Sequence, residues 1–136
     1  VSGKISTKQF SADGLESYLR LMRKMRQRYK GVYEALILKH GRKMTPFVCH
    51  NIGKMGECYL NAFNVALRRD DLYYCEGFAL GIIPILHAWL CDAEGRVMEV
   101  TWPDLGEEYY GIPFNFCYVK RVALARNFYG VLDNPE

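Results

Sequence analysis

Ile85-Leu-His-Ala-Trp-Leu-Cys-Asp-Ala-Glu-Gly-Arg-Val-Met-Glu-Val-Thr-Trp102 reads as two β-strands joined by a tight turn. The turn is Asp92-Ala93-Glu94-Gly95: aspartate opens a type I turn, and glycine takes positive φ at the bulge position. Setting Asp92 opposite Arg96 puts Ala88 opposite Val100 and Leu90 opposite Met98, which makes one face wholly apolar. The other face then carries His87, Trp89 and Cys91 with Val97, Glu99 and Thr101. His87 lies opposite Thr101 and diagonal to Glu99, and diagonal neighbours about 7 Å apart are within reach of a glutamate and an imidazole. A slip of one residue would move Glu99 to the apolar face, so the hydrophobic pattern itself selects the His87–Glu99 pairing. A carboxylate that orients an imidazole is what a cysteine nucleophile requires. Taken alone, the stretch also fits an ordinary hairpin with a surface histidine and glutamate.

Upstream, Gly56-Glu-Cys-Tyr-Leu-Asn-Ala-Phe-Asn-Val-Ala-Leu67 begins in a glycine-bounded loop and turns helical, which puts Cys58 in the first turn. Unpaired amides and the positive end of the helix dipole favour a thiolate there. A buried structural cysteine is the alternative. Leu72 to Ala79 reads as an aromatic-rich strand. In it Cys75 is structural, and Glu76 lies on the opposite face, just before a glycine that would allow a ligand or another backbone to come close. Residues 103–113 read as a loop with paired tyrosines. Phe114 to Leu124 reads as a further strand or helix, and Phe128 to Leu132 as a short last element.

Toward the N-terminus, residues 1–12 read as a mobile lead-in. Asp13-Gly-Leu-Glu16 is a capping box. Leu15, Leu19, Met22, Tyr29, Val32, Tyr33, Leu36 and Ile37 then form an apolar stripe at helical spacing, which Gly31 can split into two helices and Gly41 can end. Thr45 to Gly56 is loop-like, with Phe47-Val48-Cys49 as a short strand.

The 136 residues fit a single domain spanning 1–136 with its own core. Half of them are apolar and 14% aromatic, so the chain is globular and not disordered. The five cysteines are odd in number and their spacing does not repeat, which points to free thiols in a reducing compartment. No Cys-x-x-Cys or His-x3-His pair marks a zinc site, and neither metal nor cofactor is expected. No hydrophobic run suits a signal peptide or a membrane span, so a cytoplasmic protein, or one delivered into a host cell, is expected. The net charge is +3, yet Arg20, Arg23, Lys24, Arg26, Arg28 and Lys30 alone contribute six positive charges. The basicity is therefore local. It is either a solvated helix face or a patch for nucleic acid, acidic lipid or an acidic protein.

A cysteine at a helix start, then a strand with histidine, then an adjacent strand with an acid resembles the transglutaminase-like branch of the papain-like cysteine enzymes, in particular small phage and bacterial members. The matching stretches are Gly56-Glu-Cys-Tyr-Leu-Asn-Ala62, Tyr74-Cys-Glu-Gly77, His87-Ala-Trp89 and Glu99-Val-Thr-Trp102, with Tyr109-Tyr-Gly111 in the place of the loop that follows the acid strand. The resemblance implies an α+β fold: N-terminal helices and a central helix starting at the cysteine, packed on an antiparallel sheet. It implies Cys58 as nucleophile, His87 as base and Glu99 as orienting acid, where the branch more often has aspartate. His50 or Asn51 would help form the oxyanion hole, and Glu76 and Trp89 would line the substrate site. The expected activity is hydrolysis or acyl transfer on an amide, ester or thioester, with a protein or small amide as substrate. The alternative is a non-catalytic binding module that uses the basic helix 20–30 or the tyrosine-rich loop 109–111, with a host protein or nucleic acid as partner.

Overall fold

The computed structural model describes residues 14–25, 32–50, 53–126 and 130–132. The lead-in, Asp13 of the capping box, Gly31 and Asn51 lie outside the described residues. The elements run α1 (Gly14–Met25), α2 (Val32–His40), β1 (Arg42–Cys49), α3 (Cys58–Ala66), β2 (Tyr73–Leu80), β3 (Pro84–Cys91), β4 (Arg96–Glu99), β5 (Glu108–Phe114) and α4 (Phe116–Arg126).

The strands close into a five-stranded barrel in the order β1-β4-β3-β2-β5, with β5 returning to β1. β1 and β4 run parallel and the other neighbours antiparallel. This corrects the expected fold: the helices do not cover an open antiparallel sheet of papain-like type but surround a closed mixed barrel. The difference comes from two segments whose local pattern hides all or part of a strand; the short strand expected at residues 47–49 is the end of β1. β1 contains Pro46, which has no N–H to give a ladder, and its pairing with β4 shifts register between Pro46 and Val48. β5 contains Gly111 and Pro113, which suggest a loop, yet it pairs with β2 from Tyr74↔Phe114 to Leu80↔Glu108.

The central hairpin has the register its sequence dictates, with Leu90 opposite Met98 and Cys91 opposite Val97. Its turn is tied by Asp92, whose Oδ1 accepts the amides of Glu94 and Arg96 at 2.9 Å, and Gly95 takes φ 76°.

One buried cluster draws on all five strands: Met44, Cys75 and Ala79, Trp89 and Cys91, Val97, and Tyr109. It is the barrel interior. Alternation places His87 and Glu99 on this inner face with Trp89 and Val97. The outer face is covered twice. Ala62 and Ala66 of α3 and Val119 of α4 pack on Tyr74, Ala88, Leu90 and Val100, and Leu19 and Ile37 of α1 and α2 pack near Ile112, Phe78 and Leu86.

Candidate active site

Glu99 is wholly buried and acts only as an acceptor. Both its oxygens lie 3.0 Å from His87 Nε2. Oε1 also accepts the Tyr109 hydroxyl at 2.6 Å, and Oε2 accepts the amides of Thr101 and Trp102 at 3.0 Å each. The last two bonds arise because the chain turns directly after β4 and folds its next amides back onto the carboxylate. Tyr109 is fixed in turn by the Gly106 amide, which donates to its hydroxyl at 2.9 Å. Burial works against the ionised carboxyl, but hydrogen bonding and charge from His87, with Tyr109 and the Trp102 amide, outweigh it and hold Glu99 below its ordinary range. The same burial and the carboxylate beside it push the Tyr109 hydroxyl far up, so it remains a neutral donor.

The His87 side chain is 2% exposed. Burial disfavours its imidazolium, yet interaction with the nearby Cys58 and with the Glu99 carboxylate outweighs this and raises its pKa above the ordinary 6.5. Nε2 is engaged by Glu99, which leaves Nδ1 as the ring nitrogen outside that pair. The Trp102 ring lies over the imidazole with centroids 4.1 Å apart and planes 21° from parallel, shielding it from water.

Cys58 is the first residue of α3 and is half-buried. The N-cap residue is Glu57, whose side chain makes no capping hydrogen bond, and the first turn itself holds no acidic residue. The approach to the helix is anchored by Asn61, whose Nδ2 donates to Lys54 O at 3.0 Å and to Thr101 Oγ1 at 2.9 Å. That side chain fills the space where a Cβ on Gly53 would lie, 2.0 Å from Asn61 Oδ1, so only glycine fits beside it. The Gly53 amide donates to Val100 O at 3.2 Å. Asn61 and Thr101 therefore tie the loop before Cys58 to the segment that follows Glu99.

The structure joins His87 to Glu99 by hydrogen bonds and puts Cys58 close enough to act on the imidazole's charge, by a route the sequence does not give. The α3 helix packs on the Ala88–Leu90 face, not on the face that carries His87 and Glu99, and Cys58 approaches the histidine from the helix end. The remaining expected site residues are placed elsewhere. Glu76 is 1% exposed on the outer face, where it accepts the Tyr74 hydroxyl at 2.5 Å and the amides of Val131 and Leu132 at 2.5 and 2.8 Å. It latches the C-terminal segment. Trp89 is wholly buried in the barrel, donating from Nε1 toward Met44 Sδ at 3.2 Å, and lines no substrate surface. The His50 side chain is exposed, and its amide is spent on Glu99 O at 2.7 Å. Asn51, the other oxyanion candidate, is outside the described residues.

Tyr109 and Tyr110 are not in a loop but within β5, and Tyr109 is completely buried, which removes the tyrosine-rich loop as a binding surface. In the basic stretch, Arg20 pairs with Glu16 at 2.7 Å on the outward face of α1, and residues 26–30 lie outside the described residues. The sequence assigns no site role to Trp102, Asn61 or Thr101, and gives Tyr109 only a place in a binding loop. Tyr109 and Trp102 carried a signal, since a buried carboxylate needs donors and a histidine ring needs a cover, but nothing local says which aromatic residue supplies them.

Comparison with protein-family models, with curated proteins and with solved structures finds no match. Among the described residues, no helix is long and apolar enough to cross a membrane, and no three His, Cys, Asp or Glu residues are grouped to hold a metal ion.

Proposed function

We propose that the protein is a cysteine-dependent acyl-transfer or hydrolytic enzyme acting on an amide, ester or thioester through Cys58, His87 and Glu99. The observation that carries this reading is the buried His87–Glu99 pair, with Cys58 at a helix start near enough to act on the imidazole's charge. The order of the three residues is that of transglutaminase-like enzymes. The likeness concerns the triad, and the closed barrel is not part of it.

In the reaction, an imidazole with a raised pKa is the stronger base for the Cys58 proton. The sulphur bonds to the carbonyl carbon, and the charge that develops on the oxygen faces the amide end of α3, where the first-turn N–H groups have no intrahelical acceptor. His87 returns the proton to the leaving group as that bond breaks. Water, or an amine in the transfer reaction, then attacks the thioester, the carbon–sulphur bond breaks, and Cys58 regains its proton. Glu99 touches no substrate. It fixes the ring orientation and stabilises the imidazolium at each proton transfer. The five cysteines, odd in number and without a repeating spacing, support a reducing, cytoplasm-like setting.

Iodoacetamide labelling followed by mass spectrometry tests the reading. Cys117 is exposed whereas Cys58 is half-buried, so accessibility alone would label Cys117 first. An activated Cys58 reverses that order near neutral pH, and His87→Ala slows its labelling at least tenfold. Labelling of Cys117 ahead of Cys58, unchanged by His87→Ala, would sink the enzyme reading.

A further inference from the structure

The barrel has two ends, and the His87–Glu99 pair lies toward one of them. At the other end β1 and β2 begin and β3 and β5 finish, and a cavity of ≈ 230 Å³ opens there. Arg42, Tyr73, Cys91, Asp92 and Pro113 are on its lining. Inside the barrel, Cys91 Sγ lies 3.3 Å from Cys75 Sγ. The strand register accounts for the approach. Tyr73 is opposite Cys91 and Cys75 is opposite Trp89, so the two cysteines are diagonal neighbours on the inner face of adjacent strands. Cys75 is wholly buried, Cys91 is 2% exposed, and only Cys91 is on the cavity lining. A small molecule that enters the cavity therefore meets Cys91, with Cys75 behind it. The electrostatics divide the pair in the same sense. The hydrogen bond from Cys75, helped by the Arg42 charge, outweighs burial and the Asp92 carboxylate and holds the Cys91 thiol below its ordinary range. Burial, then the hydrogen bond to Cys91 and its charge, push the Cys75 thiol well above it.

We propose that Cys91 and Cys75 form a peroxide-reactive dithiol, in which Cys91 takes an oxygen from hydrogen peroxide and Cys75 closes a disulfide inside the barrel. The site is separate from Cys58 and does not depend on the acyl-transfer reading. A small neutral oxidant is what the cavity fits. Attack on the disulfide of a peptide-sized thiol would need three sulphurs in line over a side chain that is 2% exposed, whereas hydrogen peroxide is little larger than water. The second step needs no diffusion, because at 3.3 Å the resolving sulphur already touches the sulphur it attacks. In the first step the Cys91 thiolate bonds to one peroxide oxygen and the O–O bond breaks. The departing hydroxide leaves as water with the proton that the thiol gave up, and Cys91 is left as a sulfenic acid. The Cys75 sulphur then bonds to the Cys91 sulphur, the S–O bond breaks, and the hydroxyl leaves as a second water with the Cys75 proton. The two thiols lose two electrons and the peroxide gains them.

The test is a peptide map. Trypsin cuts after Arg69 and Arg96 and meets no lysine or arginine between them, so Cys75 and Cys91 share one peptide that contains no other cysteine. The folded protein is treated with a few equivalents of hydrogen peroxide, quenched with catalase, alkylated with iodoacetamide in urea and digested. Peptide 70–96 should lose both carbamidomethyl labels and weigh two hydrogens less than the free dithiol, before the exposed Cys117 is oxidised. Dithiothreitol should restore both labels, and protein unfolded in urea before the peroxide is added should show no such preference. With dimedone present, Cys75→Ala should carry the adduct on Cys91, whereas Cys91→Ala should leave Cys75 unmodified. Peptide 70–96 that keeps both labels while Cys117 is oxidised overturns the proposal. A dimedone adduct on Cys75 in the Cys91→Ala protein, as strong as that on Cys91 in Cys75→Ala, overturns Cys91 as the residue that meets the peroxide. The map of the unmutated protein needs neither variant, so it decides the proposal even where a substitution unfolds the barrel.

Discussion

Glu99 takes hydrogen bonds from four donors, the His87 ring, the Tyr109 hydroxyl and the amides of Thr101 and Trp102, and every one of them needs an acceptor. Glu99→Gln would turn an NH₂ group toward donors and leave the imidazolium without its counter-charge. Breaking one partner of a buried pair costs about 3–5 kcal/mol, and urea unfolding near pH 6 should show a loss of that order, although the shape is nearly conserved. The pH dependence follows from the two shifts. His87 is raised above its ordinary 6.5, so its contribution is complete below 6.5 and is lost as pH rises through the higher folded value. Glu99 is lowered from its ordinary 4.5, so its contribution is complete above 4.5 and is lost as pH falls through the lower folded value. Stability from the pair should be greatest between 4.5 and 6.5 and decline on both sides, and His87→Gln should remove the alkaline limb in a pH series of urea unfolding curves. At this scale the sequence is informative wherever partners sit on adjacent strands: His87 and Glu99 are found by hairpin register alone. Tyr109 is ten residues past Glu99 on a strand that does not neighbour β4, so no local periodicity links the two.

The hairpin β3–β4 is legible as an element because turn, register and apolar face all lie within one short stretch and agree. β1 is legible only at its end, residues 47–49, and β5 not at all, because their proline and glycine residues imitate loop chemistry and their pairing partners are far along the chain. Glu76 shows the same limit. Its position on the outer face of β2 follows from alternation, but its partners, Val131 and Leu132, lie 55 and 56 residues away. A buried carboxylate that accepts two amides and a tyrosine hydroxyl acts as a latch for the chain end against the sheet. Glu76→Ala should cost about 3 kcal/mol, since it leaves the Val131 and Leu132 amides buried without an acceptor, and limited proteolysis should cut the C-terminal segment first. Asn61 plays the matching part for the loop ahead of α3. Asn61→Ala removes the bonds to Lys54 O and Thr101 Oγ1 and frees the approach to Cys58. Labelling of Cys58 should then slow severalfold while global stability falls by only about 1–2 kcal/mol, a split that a residue acting through packing alone would not give.

Closure of the barrel is a property of the whole chain, and it depends on a place where two strands come unusually near each other and the core. Gly77 on β2 pairs with Gly111 on β5. A Cβ on Gly77 would lie 2.3 Å from Tyr110 O, and one on Gly111 would lie 2.5 Å from Glu76 O and 2.7 Å from Cη2 of Trp89. The expectation that some backbone approaches closely at Gly77 is met by β5, not by a ligand. The missing side chains let β5 turn across β2 and reach β1, while the indole of Trp89 fills the interior beneath Gly111. Two kinds of atom would resist a methyl group there: backbone that cannot shift without opening the β2–β5 ladder, and a ring that can be made smaller. Gly111→Ala should therefore destabilise by about 2–3 kcal/mol, an overpacking cost, against about 1 kcal/mol or less for an alanine at a position with free space. Trp89→Phe should itself destabilise by leaving a cavity, but in the Gly111→Ala background its cost should be smaller, because the lost ring is one of the two obstacles. A double-mutant cycle measured by urea unfolding should give a coupling of about 1 kcal/mol favouring the double variant. Strict additivity would mean that the indole does not meet the new methyl group, and that Glu76 O alone makes Gly111 necessary to the closed barrel.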